Sequence, residues 1–122
     1  MEPKNEYAPA EIADIVANAW KTLDASGMRQ ILADDYEYTS QWVLDTMHGA
    51  DKYVEYLSQK FEAMKKGGRP TVVAARSNEY HVEIDLKQTI NGREQTGMLQ
   101  FRLRNGKIAS GCMCAPFFRV IE

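Results

Sequence analysis

One stretch near the middle of the chain leaves few choices of fold. Residues 80–104, YHVEIDLKQTINGREQTGMLQFRLR, alternate apolar and polar side chains on both sides of Asn91-Gly92. Alternation with a period of two marks a strand with one buried face, and Asn-Gly between two such runs signals a two-residue hairpin turn. Placing Ile90 opposite Arg93 sets Leu86 opposite Gly97, Ile84 opposite Leu99, Val82 opposite Phe101 and Tyr80 opposite Leu103. On the other face Glu83 meets Gln100 and His81 meets Arg102. From Tyr80 to Leu86 each residue of the alternating apolar set meets an apolar residue or a glycine, and a slip of one position would destroy that agreement.

Helical patterns precede this hairpin. In EIADIVANAWKTLD, Ile12, Ile15, Val16, Ala19, Trp20 and Leu23 form one apolar stripe, with Pro9, Glu11 and Asp14 suited to the first turn. Ser26 is expected to cap a short second helix carrying Met28, Ile31 and Leu32. A third helix is expected over Ala50–Lys66, with Val54, Leu57, Phe61 and Met64 inward and Tyr53 and Tyr56 flanking them. Lys60, Lys65 and Lys66 near its end complement the helix dipole, and Gly67-Gly68 ends it. Between the second and third helices, Tyr36 to about Leu44 reads as a strand that puts Tyr36, Tyr38, Ser40 and Trp42 on one face. TVVAARS is a further short strand, and after the turn at Asn105-Gly106 comes a last one, KIASGCMCAPFFRVI.

At 122 residues, 44% hydrophobic and 26% charged, the chain suits one globular domain, 1–122, that can bury a core without metals or disulfides. A net charge of −2 gives no basic face for nucleic acid. The start lacks the pattern of a signal peptide, and no apolar run approaches membrane-spanning length, so a cytoplasmic protein with no membrane partner is the expectation. Cys112 and Cys114, roughly 6.5–7 Å apart along a strand, sit near the upper limit for a disulfide and read as reduced side chains. No zinc-ligand spacing is present, and no metal or cofactor is expected.

The layout is helix, short helix, strand, helix, then an antiparallel meander: an α+β fold with helices on one face of a curved sheet. With LADDYEY entering the first strand, HGADKYVEYL entering the third helix and RLRNGKI at the last hairpin, the chain resembles the nuclear-transport-factor-2-like superfamily of ketosteroid isomerases, polyketide cyclases, SnoaL-like proteins and binding domains. The resemblance implies a cystatin-like cone: three N-terminal helices packed on a curved, mainly antiparallel sheet. It also implies a small-molecule pocket against the concave face, and a homodimer formed through the outer face, which carries His81, Glu83, Asp85, Gln100 and Arg102. Carried over by position, the concave face comprises Tyr38, Ser40 and Trp42, then Val82, Ile84 and Leu86, then Gly97, Leu99 and Phe101.

The resemblance does not carry over the isomerase chemistry. That site uses an aspartate base with a tyrosine and a protonated aspartic acid, and the matching positions here hold Ser40, Ala19 and Leu99. No catalytic residue is therefore assigned. Tyr38 is the leading polar candidate, because a buried phenol needs a partner and a ligand can supply it. The last strand admits two registers. A regular turn at Asn105-Gly106 puts Cys112 opposite Leu99 and both cysteines inward, whereas a bulge at ASG, common in the relatives, turns Met113 and Ala115 inward; we prefer the bulge. The expected pocket lining is thus Tyr38, Ser40, Trp42, Ile84, Leu99, Phe101 and Met113, for an apolar or aromatic ligand. An isomerase, lyase or cyclase using Tyr38 with Asp45 or His48 is the enzymatic alternative, and a homodimeric interaction module is the other.

Overall fold

The computed structural model describes residues 6–40, 46–67, 69–90 and 92–114. Helix α1, Pro9–Thr22, starts at Pro9, whose missing N–H costs nothing in a first turn; the Glu11 carboxylate accepts the Ala8 N–H at 3.0 Å. It buries Ile12, Val16, Ala19 and Trp20, as the stripe requires, and ends at Leu23 in the left-handed region (φ 55°), whose N–H reaches the Ala19 carbonyl. The expected second helix does not form. Asp24 Oδ1 accepts the Ser26 N–H at 2.9 Å, and a single 3₁₀ turn, Arg29–Ile31, follows. Leu32 is already extended (φ −97°, ψ 137°), so too few residues separate the turn from the strand for an α-helix to propagate. Met28, Ile31 and Leu32 are nonetheless fully buried.

Among the described residues, six strands form one sheet in the order β2-β1-β6-β5-β4-β3, with β1 Leu32–Ser40, β2 Met47–His48, β3 Thr71–Ser77, β4 His81–Ile90, β5 Arg93–Arg104 and β6 Lys107–Cys114. The strand expected from Tyr36 begins at Leu32; residues 41–45, including Trp42 and Asp45, lie outside the described residues. The β4–β5 register is the one the alternation demands, from His81 opposite Arg102 to Ile90 opposite Arg93. Tyr80 departs from it. Asn78 Oδ1 accepts the N–H groups of Tyr80 and His81 at 2.8 Å each, bending the chain so that Tyr80, still paired to Leu103 through its carbonyl, is 65% exposed. All neighbouring strands run antiparallel except β1 and β6, which are parallel. The last strand is bulged: Leu103 faces Ile108 but Arg102 faces Ser110, leaving Ala109 as the extra residue.

Helix α2, Ala50–Lys66, occupies the expected span. Its buried side is Ala50, Tyr53, Leu57, Lys60, Phe61 and Met64, so Tyr53 lies at the centre of the stripe and Val54 at its edge. α1 lies over β3 and β4 and α2 over β1, all on the same face of the sheet. The two α-helices and the curved mixed sheet enclose the core; the other face carries the polar side chains. Among the described residues, no helix is long and apolar enough to cross a membrane.

Candidate functional site

The interior side of the sheet is built in rows across the strands. One row runs Ala75, Ile84, Leu99 and Met113, each opposite the next, and the Ser40 backbone pairs with that of Met113. The adjacent row runs Val82, Phe101, Gly111 and Tyr38. Ile84, Leu99, Phe101, Tyr38 and Met113 are all buried, and the bulge at Ala109 is what turns Met113 inward and leaves Cys112 on the outer face, 3.9 Å from Gln100 Oε1. Gly111 is demanded by packing: a Cβ there would collide with the Tyr36 hydroxyl and stand 2.7 Å from the Phe101 ring.

Above these rows four tyrosines meet between β1 and α2. The Tyr36 and Tyr38 rings lie 4.7 and 4.8 Å from the Tyr53 ring, and Tyr38 lies 5.8 Å from Tyr56. Burial pushes the Tyr36 and Tyr53 phenols well above their ordinary range. Their hydroxyls interact with one another, although that of Tyr36 does not reach full hydrogen-bond geometry. Burial also raises Tyr56, and a hydrogen bond from Tyr38 offsets part of the rise. All three are therefore neutral at physiological pH and serve as hydrogen-bonding groups, not as bases.

Beside the tyrosines stands Lys60, only 9% exposed. Its Nζ lies 5.7 Å from the centre of the Tyr56 ring and 5.9 Å from that of Trp20, and among the described residues it makes no ion pair or hydrogen bond. Burial alone lowers its pKa to about 8. The Trp20 indole Nε1 is buried and likewise makes no hydrogen bond to the described residues. Trp20 is held by an edge-on contact to Phe61, with ring centres 5.0 Å apart, so α1 and α2 position the amine and the indole together.

The fold and this helix-roofed interior agree with the comparison to known families, in which residues 12–111 match the model of the SnoaL-like domain. The chain belongs to the SnoaL-like domain family. No curated protein sequence matches it. Among solved structures it is similar to an NTF2-like protein of unknown function from Mesorhizobium loti (TM-score 0.74, 15% identity, covering 87% of this chain and 88% of that one). It is similar also to an NTF2-like protein from Anabaena variabilis (0.70, 15%, 91% and 88%). A protein with a ketosteroid isomerase-like fold from Catenulispora acidiphila, solved in complex with trimethylamine, matches with a TM-score of 0.60 and 20% identity over 87% of this chain and 85% of that one. At these identities the structural likeness establishes the fold.

Within this SnoaL-like domain, the residues expected to line a pocket fall into three groups. Tyr38, Ile84, Leu99, Phe101 and Met113 come together on the interior face. Ser40 pairs by its backbone with Met113, and Trp42 lies outside the described residues. His48 does not join them. It pairs with Glu37, its Nδ1 3.2 Å from the Glu37 carboxylate, on the face opposite Tyr38, and its side chain is 69% exposed. His81 is exposed on the outer face, as its alternation requires. The residue that the sequence reading missed is Lys60, which entered only as a complement to the helix dipole. The spacing Ala50, Tyr53, Leu57, Lys60, Met64 follows the buried stripe of the SnoaL-like helix, and that spacing was the available signal.

Outside the interior, two open grooves of about 280 and 320 Å³ mark the outer face. Arg76 joins Glu83 (3.0 Å) and Asp85 (2.6 Å) there. The Glu83 carboxyl is held below its ordinary range first by the Gln100 amide and then by Arg76, and Asp85 is held down by Arg76. Among the described residues, no cluster of His, Cys, Asp or Glu could hold a metal ion.

Proposed function

We propose that this SnoaL-like domain binds a small apolar or aromatic molecule between α2 and the concave face of the sheet. Ile84, Leu99, Phe101 and Met113 would form the floor, Ser40 and Trp42 would continue the β1 wall, and Tyr38 would be the polar handle. The observation that carries this reading is the tyrosine cluster. A pure packing role is served by phenylalanine, whereas four phenols meeting in an apolar interior supply hydrogen-bonding groups of the kind that orient ligands. Calorimetric titration with naphthalene-2-methanol tests it. Saturable binding that weakens several-fold in Tyr38→Phe, but not in Thr39→Ala on the opposite face of the same strand, supports the reading. Absence of saturable binding, or equal loss in both variants, refutes it.

Isomerase, lyase or cyclase chemistry in the same interior is the second reading, favoured by one observation. Lys60, with its pKa lowered to about 8, is an ionisable group suited to proton transfer near neutral pH, and it touches Tyr38 through Tyr56. Turnover of a bound compound with a pH profile that follows Lys60 supports it; binding without turnover in Lys60→Met and wild type alike refutes it. For the outer face we propose self-association, since both helices cover the other side of the sheet. Light scattering that finds a monomer at micromolar concentration counts against it.

A further inference from the structure

Two donors in the interior lack an acceptor among the described residues. Lys60 carries three N–H bonds and no lone pair once protonated, and the indole of Trp20 carries one N–H and no lone pair. Lys60 is 9% exposed and Trp20 1% exposed, and neither the amine nor the indole makes a hydrogen bond to the described residues. Among the described residues, the groups facing the amine are the Trp20 ring from α1 and the Tyr56 ring one turn earlier on α2; Tyr56, hydrogen-bonded by Tyr38, is neutral. Aromatic faces attract the cation but leave its N–H bonds unmet. A buried cation without a counter-charge is unfavourable unless something else supplies the negative charge.

We infer that Lys60 and the indole N–H of Trp20 anchor a negatively charged, acceptor-bearing group, a carboxylate or an enolate, on the molecule held in the interior. This rests on the interior-binding reading and assigns the ligand class: an organic acid with an apolar or aromatic body. The body lies against the floor of Leu99, Phe101 and Met113, while the acidic end turns to the α1–α2 side, where the donors are. The tyrosine hydroxyls lie between the two ends and accept or donate without adding charge. A cationic ligand is disfavoured at the same place, because the lysine already occupies the two ring faces that would attract it.

The test compares two probes of the same shape, naphthalene-2-carboxylate and naphthalene-2-methanol, titrated calorimetrically into wild type, Lys60→Met and Lys60→Arg. At pH 7 wild type is expected to favour the carboxylate by about 10-fold or more, Lys60→Met to lose that preference while keeping its affinity for the alcohol, and Lys60→Arg to retain part of it. Raising the pH to 9.5 deprotonates the amine and lowers carboxylate affinity by about 10-fold in wild type but not in Lys60→Met. Equal affinity of wild type for the two probes, or a carboxylate preference that survives in Lys60→Met, overturns the anchor and leaves interior binding standing. Binding of neither probe overturns both.

Discussion

Replacing Lys60 by methionine should make the unliganded protein more stable near neutral pH, and the gain should vanish as the pH rises. The magnitude follows from the amine itself. Its pKa is lowered from 10.5 to about 8 by burial with no compensating charge, and that gap corresponds to about 3 kcal/mol of unfavourable burial of the charged form. Attraction to the Trp20 and Tyr56 rings returns about 1 kcal/mol, leaving a net gain of about 2 kcal/mol for an apolar side chain of similar length. Below pH 8 the amine is charged in both folded and unfolded chains, so the folded protein carries the whole cost. Between about pH 8 and 10.5 the folded amine is neutral while the unfolded one is still protonated. The unfolded state then binds more protons, and wild-type stability climbs toward that of the variant. Urea unfolding of both proteins at half-unit steps from pH 6.5 to 10 measures this. Tyrosine ionisation at the upper end acts on both proteins and cancels in the difference. A difference that stays constant across the series, or a variant less stable than wild type at pH 7, would refute the claim that Lys60 is a desolvated cation.

Other outcomes follow from packing and charge. Gly111→Ala should destabilise by about 1–3 kcal/mol, because its Cβ meets the Tyr36 hydroxyl and the buried Phe101 ring; adding Tyr36→Phe should recover part of the loss in the same denaturation assay. Gly106→Ala and Gly92→Ala both place a side chain at positive φ (74° and 77°), worth about 1 kcal/mol each. Thermal unfolding should find Gly106→Ala the worse of the two, since its Cβ also strikes Glu6 and the Tyr7 backbone, whose N–H is bonded to the Gly106 carbonyl. In Arg76→Gln, carboxyl NMR titration should return Asp85 toward its ordinary pKa, while Glu83, held mainly by the Gln100 amide, should stay depressed.

The parts of this molecule that were legible in its sequence are those set by local repetition. The β4–β5 register followed from alternation around Asn91-Gly92, because a one-residue slip would have exposed Ile84 and Leu99 together. The end of α2 followed from the lysines of its last turns and from Gly67-Gly68. What escaped were features decided by tertiary context. The stretch from Ser26 to Leu32 has helical spacing, but the strand claims Leu32 before a helix can form. Tyr80 fits the interior parity, yet Asn78 turns the chain beneath it. Lys60 has the side chain of a surface residue, and only its position on the Tyr53–Leu57–Met64 stripe marks it as buried. The interior face of the candidate site was visible as a row of alternate residues, whereas the amine facing it was not.

The parallel pairing of β1 with β6 also constrains how the domain comes to exist. β3 to β6 form a meander whose contacts are local in sequence, so it can assemble early, but Glu37 meets its partner Ser110 only after the whole of α2 and the meander have been made. Closing so long a loop is slow and entropically expensive. The β1 wall, with Tyr38 on it, is therefore the last to dock, and during synthesis the interior stays open until β6 is available. A molecule bound there would act as a clasp on that final step, slowing the release of β1 and extending the lifetime of the closed chain more than it speeds folding.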